Sequence, residues 1–182
     1  MSNTSHIEVE RRYLLSAGPP DDVMEAQPDH YVVYYEHRYL PGSTIRERVT
    51  KRSIQPTYKR TVKVGTGSSR FEFEEEVDVV FWEMFEPLTR YSALRCKRWC
   101  VRDADLTGWF AAQTGVQPPR KLKWEVTHVL NLRKSLWLLE VETPAVFEGD
   151  PPFPGWLAPY VLREVTQDER YEAFSLAMDG EP

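Results

Sequence analysis

The segment His6-Ile7-Glu8-Val9-Glu10-Arg11-Arg12-Tyr13-Leu14-Leu15 carries the reading of the fold. Side chains alternate along a strand with period two. Glu8, Glu10 and Arg12 therefore share one face. Ile7, Val9, Tyr13 and Leu15 share the other, with Arg11 among them. Taken alone, this is a water-facing polar row over a buried apolar row. The rest of the chain decides whether the charged row faces out or in.

The pattern returns along the chain. Arg46 and Arg48 share a face in Ile45–Val49. Lys59, Thr61 and Lys63 lie opposite Tyr58, Val62 and Val64. Arg70, Glu72, Glu74 and Glu76 lie opposite Phe71, Phe73 and Val77. Arg95 and Lys97 lie opposite Leu94, Cys96 and Cys100. Lys123, Glu125 and Thr127 lie opposite Leu122, Trp124 and Val126. Glu140 and Glu142 lie opposite Trp137, Leu139 and Val141. A last strand, Tyr160–Val165, carries Glu164.

Eight short strands in mostly antiparallel order point to a barrel or sandwich. With a few helices this is an α+β fold, mainly β, and all 182 residues form one domain. The charged rows are sorted by sign. Some are basic (Arg46/Arg48, Lys59/Lys63, Arg95/Lys97) and others acidic (Glu8/Glu10, Glu72/Glu74/Glu76, Glu140/Glu142). A solvated face needs no such sorting. A barrel with a wet, charged interior does, and it turns its apolar rows outward against helices and loops. The alternative is a β-rich protein with salt-bridged surface rows and no pocket.

Val79–Arg90 has a helical spread of Val80, Phe81, Met84, Phe85 and Leu88, with Pro87 expected to end or kink it. Thr166-Gln167-Asp168-Glu169 reads as a capping box opening a C-terminal helix. Ser16–Asp29, Arg102–Arg120 and Pro144–Pro159 read as loops. The first has room for a short helical piece, and the second has a helical candidate at Leu106–Ala112. Gly65–Ser69 reads as a hairpin loop between strands.

The net charge of −5 argues against a nucleic-acid polymer or a membrane surface as partner. No apolar run approaches the roughly 20 residues that span a bilayer, and the N-terminus has no signal-peptide core. The expected location is cytoplasmic, as a monomer or homodimer. Cys96 and Cys100 on one strand lie about 13 Å apart, too far for a disulfide, and read as packing residues. The four histidines show no paired metal spacing, and there is no P-loop or nucleophile elbow.

Basic pairs at alternate positions of several strands can surround a polyanion, because guanidinium forks match phosphate oxygens. Carboxylate pairs suit a hard divalent cation that bridges to phosphate. Both in one cavity describe metal-dependent phosphoryl transfer.

These residues resemble the CYTH domain, the triphosphate tunnel metalloenzymes. Glu8-Val9-Glu10-Arg11-Arg12 resembles its ExExK signature, with arginine in the lysine position. Arg46-Glu47-Arg48, Lys63-Val64-Gly65, Arg70-Phe71-Glu72-Phe73-Glu74 and Leu139-Glu140-Val141-Glu142 follow in family order. Pro154-Gly155-Trp156-Leu157, Arg163-Glu164-Val165-Thr166 and Arg170-Tyr171 resemble the C-terminal ending. The family's K-x-R strand falls near Arg95–Arg98: the alternation turns Arg95 and Lys97 inward, whereas the similarity of Arg98-Trp99-Cys100-Val101 favours Arg98. Thr127 stands where the family usually has an acid. Arg102–Arg120 is longer than in the family, long enough to cover a tunnel mouth.

The resemblance implies an eight-stranded antiparallel tunnel that binds triphosphate with Mg²⁺ or Mn²⁺. Arg12, Arg46, Arg48, Lys63, Arg95 and Lys97 are its implied phosphate contacts. Glu8, Glu10, Glu140 and Glu142 are its implied metal ligands, with Glu72, Glu74 and Glu164 as further candidates. The implied activity is hydrolysis of inorganic triphosphate or a small molecule bearing one. An adenylyl cyclase acting on ATP and a non-catalytic triphosphate-binding module are the alternatives.

Overall fold

The computed structural model describes residues 3–40, 46–52, 57–64, 69–89 and 93–182. Strands β1 (Asn3–Leu15), β2 (His30–Tyr39), β3 (Arg46–Arg52), β4 (Thr57–Val64), β5 (Ser69–Val77), β6 (Ala93–Arg102), β7 (Lys123–Val129), β8 (Leu136–Thr143) and β9 (Val161–Glu164) form one antiparallel sheet. Helices α1 (Asp21–Glu25), α2 (Val79–Thr89), α3 (Ala104–Thr114) and α4 (Ala173–Asp179) lie between or after them.

The strand order is β5-β4-β3-β2-β6-β7-β8-β1. β1 is long enough to serve several neighbours. Val9–Leu15 pair with β8, whereas Asn3–Val9 pair with β5. β1 thus pairs with β5 as well as with β8, and side chains of β1 to β8 line one internal cavity. The short β9 adds to β1 at Tyr13–Leu15. The strand that the sequence pattern does not reveal is β2; Tyr160–Val165 corresponds to the ninth strand.

The outward rows are apolar where something covers them. Tyr13, Trp99, Val101, Trp124, Val126 and Leu139 pack under Leu106 and Phe110 of α3 and under Phe147 and Leu157. Asp103 begins α3 by accepting from Asp105 N at 2.8 Å and Leu106 N at 3.0 Å. It also accepts from Trp124 Nε1 at 2.7 Å, tying the helix to β7. Gly115 ends α3 with φ 71°, a left-handed turn that favours glycine. The long Arg102–Arg120 segment thus packs α3 on an outer wall, and Arg120 at its end lines the cavity.

Pro87 does not end α2, which runs on to Thr89. In its last described turn Thr89 Oγ1 donates to Phe85 O at 2.8 Å. The buried face of α2 is Trp82 and Phe85, packed on Tyr58 and Val77, so Val80, Met84 and Leu88 face water.

The capping box is also corrected. Thr166 lies against β1, where its Oγ1 accepts from Arg12 N at 2.9 Å, while Val165 N donates to Arg12 O at 2.7 Å. The C-terminal helix starts later, at Ala173. Gly65–Ser68 of the expected hairpin loop lie outside the described residues. Among the described residues no helix is long and apolar enough to cross a membrane.

Candidate active site

The cavity has a volume of about 450 Å³ and two unlike regions. At one end Tyr39, Leu94, Cys96, Val129 and Leu138 pack with Leu176 and Phe174 of α4. Phe174 meets Tyr39 edge-on, ring centroids 5.5 Å apart. The His37 ring stacks on Tyr35 at 4.4 Å. The C-terminal helix thus fills this end with hydrocarbon. Both cysteines are free, buried and turned inward, Cys96 towards this apolar region.

The rest of the cavity is charged. β1 and β8 bring Glu10 opposite Glu142 and Arg12 opposite Glu140, and β7 sets Glu125 opposite Glu140. Like charges directly opposite repel, so cations must sit between them. Arg12 does so: its Nε donates to Glu140 Oε1 at 2.9 Å, its NH2 group to Glu10, and its NH1 group to Tyr171 O at 3.3 Å. Arg98 spans the next gap, donating to both Glu125 and Glu140, while its Nε donates to Thr127 Oγ1 at 2.8 Å. Lys123 also pairs with Glu125. On the opposite wall Lys63 pairs with Glu72 at 2.8 Å, and Lys59 with Glu74.

Burial pushes the Glu140 carboxyl up, but the neighbouring Arg98 and Arg12 outweigh it and hold the group well below the usual carboxylate range. Burial alone would lower Arg12 and Arg98, yet their carboxylates raise both, so they stay charged. Lys123 is likewise raised, because Glu125 outweighs its burial.

The structure brings together Glu10, Arg12, Lys63, Glu72, Glu74, Glu140 and Glu142. The side chains of Glu8, Arg46 and Arg48 lie outside the described residues. Three expected residues sit elsewhere. Arg95 is on the outer surface against Glu36 at 3.0 Å. Lys97 is also outside, 2.8 Å from Asp21 and with its ammonium 3.9 Å above the Trp99 ring. Glu164 accepts from Arg11 Nε at 3.0 Å on the outer wall. Arg98 takes the inward place, as the local similarity of Arg98–Val101 favours and the alternation does not. The strand is out of step because its inward row, Leu94, Cys96, Arg98 and Cys100, is apolar where it meets the apolar end.

Arg98 is an open alternative in the sequence, whereas Arg120 and Glu125, together with Tyr35 and His37 of β2, are not singled out there as site residues. Glu125 and Lys123 do carry a signal, being in step with Thr127 on β7.

The donors fit a hard divalent cation in kind, since they are glutamate oxygens on neighbouring strands. Among the described residues, however, no three acidic, histidine or cysteine side chains converge as a ready ligand cluster. The carboxylates are instead held by arginine and lysine.

The solved structure of the inorganic triphosphatase NE1496 matches 94% of this chain and 94% of its own, at 24% identity and a TM-score of 0.57. This is the triphosphate tunnel fold. A conserved hypothetical protein from Pyrococcus furiosus matches the tunnel at 17% identity and a TM-score of 0.50, covering 79% of this chain and 81% of its own. The PH1012 protein of Pyrococcus horikoshii does so at 17% and 0.50, covering 75% and 80%. No family model and no curated protein matches the chain.

Proposed function

We propose that this protein is a CYTH-type hydrolase that cleaves inorganic triphosphate, or a small molecule bearing one, with a divalent cation, Mg²⁺ or Mn²⁺. The observation that carries the reading is the composition of the tunnel wall. Among the described residues, Arg12, Lys59, Lys63, Arg98, Arg120 and Lys123 line it, and so do Glu10, Glu72, Glu74, Glu125, Glu140, Glu142 and Glu172. A cavity meant for a polyanion alone would not set seven carboxylates among six cations. A polyanion bridged by a divalent cation satisfies both sets. The tunnel similarity to an inorganic triphosphatase supports the same substrate class.

In this reading Arg12, Arg98 and Lys63 grip phosphate oxygens, with Arg46 and Arg48 as further candidates from the sequence. Glu10, Glu140 and Glu142 are the proposed metal ligands, joined by Glu8, Glu72 and Glu74. When bound, the metal neutralises phosphoryl oxygens and favours attack by water. Arginines donating to phosphate oxygens would stabilise charge that develops on the leaving phosphate. Before substrate arrives, the carboxylates hold these arginines charged at the tunnel wall.

The test is phosphate release from tripolyphosphate, ATP and thiamine triphosphate, each with Mg²⁺, with Mn²⁺ and with chelator, against Glu10→Gln. Metal-dependent release that Glu10→Gln loses is the expected result. No release from any substrate overturns the hydrolase reading. Cyclic AMP from the ATP sample would replace it with the cyclase, and saturable binding without turnover with the binding module.

A further inference from the structure

Two roles meet on the same atoms in this tunnel. Glu10, Arg12, Glu140, Arg98, Glu125 and Lys123 form one chain of alternating charge. Glu140 is at its centre and accepts from both arginines. Arg12 gives N–H groups to Glu10 and Glu140, and Arg98 gives them to Glu125 and Glu140, where a phosphate could receive them. Both oxygens of Glu140, which a metal could receive, are given to guanidinium groups, one to Arg12 and one to Arg98.

We infer that Arg12 and Arg98 are placeholders on Glu140, so that divalent metal and triphosphate bind with positive coupling and each is resisted when alone. The inference rests on the hydrolase reading of this site and adds how the site loads. Metal arriving alone on Glu140 must displace both arginines and take from each one of its carboxylate partners. Triphosphate arriving alone must draw the arginines away and leave Glu140 buried and unpaired. Breaking one side of a buried pair is costly because the other side stays behind. When both ligands arrive, each arginine moves from carboxylate to phosphate and each carboxylate from arginine to metal, and nothing is orphaned. Binding coupling is reciprocal, so removing either side of the clamp must favour the opposite ligand.

The test therefore uses each ligand alone. Mn²⁺ is titrated into triphosphate-free protein and followed by the electron paramagnetic resonance of free Mn²⁺. Arg98→Gln should bind Mn²⁺ about fivefold tighter than wild type or better, the lower end of ordinary coupling. Arg98→Lys, which keeps a charge but cannot span both carboxylates, should move the same way. Arg120→Gln removes a charge from the same cavity without touching Glu140, and should change affinity less. In the second arm, tripolyphosphate is titrated calorimetrically in EDTA. Glu140→Gln should bind it about fivefold tighter or better, and the outer-wall Glu164→Gln should not. Circular dichroism verifies the fold of each variant, and Glu125→Gln replaces Glu140→Gln if the latter does not fold.

Affinities equal to wild type in both arms would overturn the coupling while leaving the hydrolase reading intact, provided metal-dependent phosphate release occurs. Equal gains in Arg98→Gln and Arg120→Gln would also overturn it, because net charge alone would explain them. No saturable binding of Mn²⁺ or tripolyphosphate to any of the proteins would overturn both.

Discussion

Replacing Glu140 with glutamine should destabilise this protein more than any single change to its exposed ion pairs. The carboxylate is buried, and Arg12, almost wholly buried, depends on it at 2.9 Å. Arg98 depends on it too. Glutamine keeps the shape and one acceptor but removes the charge. Breaking a buried pair from one side costs about 3–5 kcal/mol. The lower end applies, because Arg12 retains Glu10 and Arg98 retains Glu125. A loss of about 3 kcal/mol lowers Tm by roughly 6–12 °C in a domain of this size. Urea unfolding at pH 7 measures it, with Arg95→Gln as the comparison, since that exposed pair is worth about 0–1 kcal/mol. Acid adds an independent reading. The folded Glu140 carboxyl lies below its ordinary value. The unfolded chain therefore binds the extra proton first as pH falls, and stability is lost below about pH 5. Above that window the contribution is complete. The Glu140→Gln protein lacks this group, so its acid limb should be shallower. A variant within 0.5 kcal/mol of wild type at pH 7, with an unchanged acid limb, would refute the view that Glu140 is the hub of the tunnel charges.

Arg98→Gln should lower kcat/KM for tripolyphosphate by about 100-fold, the worth of one or two charge-assisted hydrogen bonds, whereas Lys97→Gln on the other face should stay within about twofold of wild type; steady-state phosphate release compares them. Asp103→Ala removes both the cap of α3 and the partner of Trp124 Nε1. It should cost about 2–3 kcal/mol in urea unfolding while leaving metal-dependent turnover near wild type below the melting transition. Thr166→Val strands Arg12 N without its acceptor. It should cost about 1–3 kcal/mol, which Thr166→Ser restores, and a Thr166→Val protein as stable as wild type would deny that this contact fastens the C-terminal segment to β1.

The charged interior was legible wherever a strand separates its two chemistries. β1, β4, β5 and β8 set acids or bases on one row and hydrocarbon on the other, and their inward rows are the charged ones. β2 gives no such contrast. Its inward row is Tyr31, Val33, Tyr35, His37 and Tyr39, while its outward row includes Tyr34, Glu36 and Arg38. Aromatic and polar residues occur on both faces, so period two leaves no clear trace. β6 misleads more actively. Its outward row changes character along its length, from Arg95 and Lys97 at the surface to Trp99 and Val101 buried beneath covering structure. Its inward row is apolar near α4 and charged only at Arg98. The assumption that charged rows face in holds for the open part of the tunnel and fails where a helix fills it.

That failure bears on chemistry as well as on register. The apolar end, held by Phe174 and Leu176 of α4, is next to the charge network rather than remote from it. Tyr35 stacks on His37 and also lies under the Arg98 guanidinium, 5.3 Å from its ring centroid. Arg98 therefore has an aromatic face behind it and carboxylates beside it. The Tyr35 hydroxyl is pushed well up by burial, against the pull of Arg98, and remains a neutral phenol. A neutral ring supports a cation without competing for its hydrogen bonds. Arg98 is thus confined to the plane in which Glu125, Thr127 and Glu140 accept from it, the same region in which a phosphate would meet it. Tyr35→Leu tests this. It keeps the volume apolar but removes the ring face, and should raise KM for tripolyphosphate several-fold, about the 0.5–2 kcal/mol of a cation–π contact, with a smaller effect on kcat. An unchanged KM would mean that the carboxylates alone position Arg98.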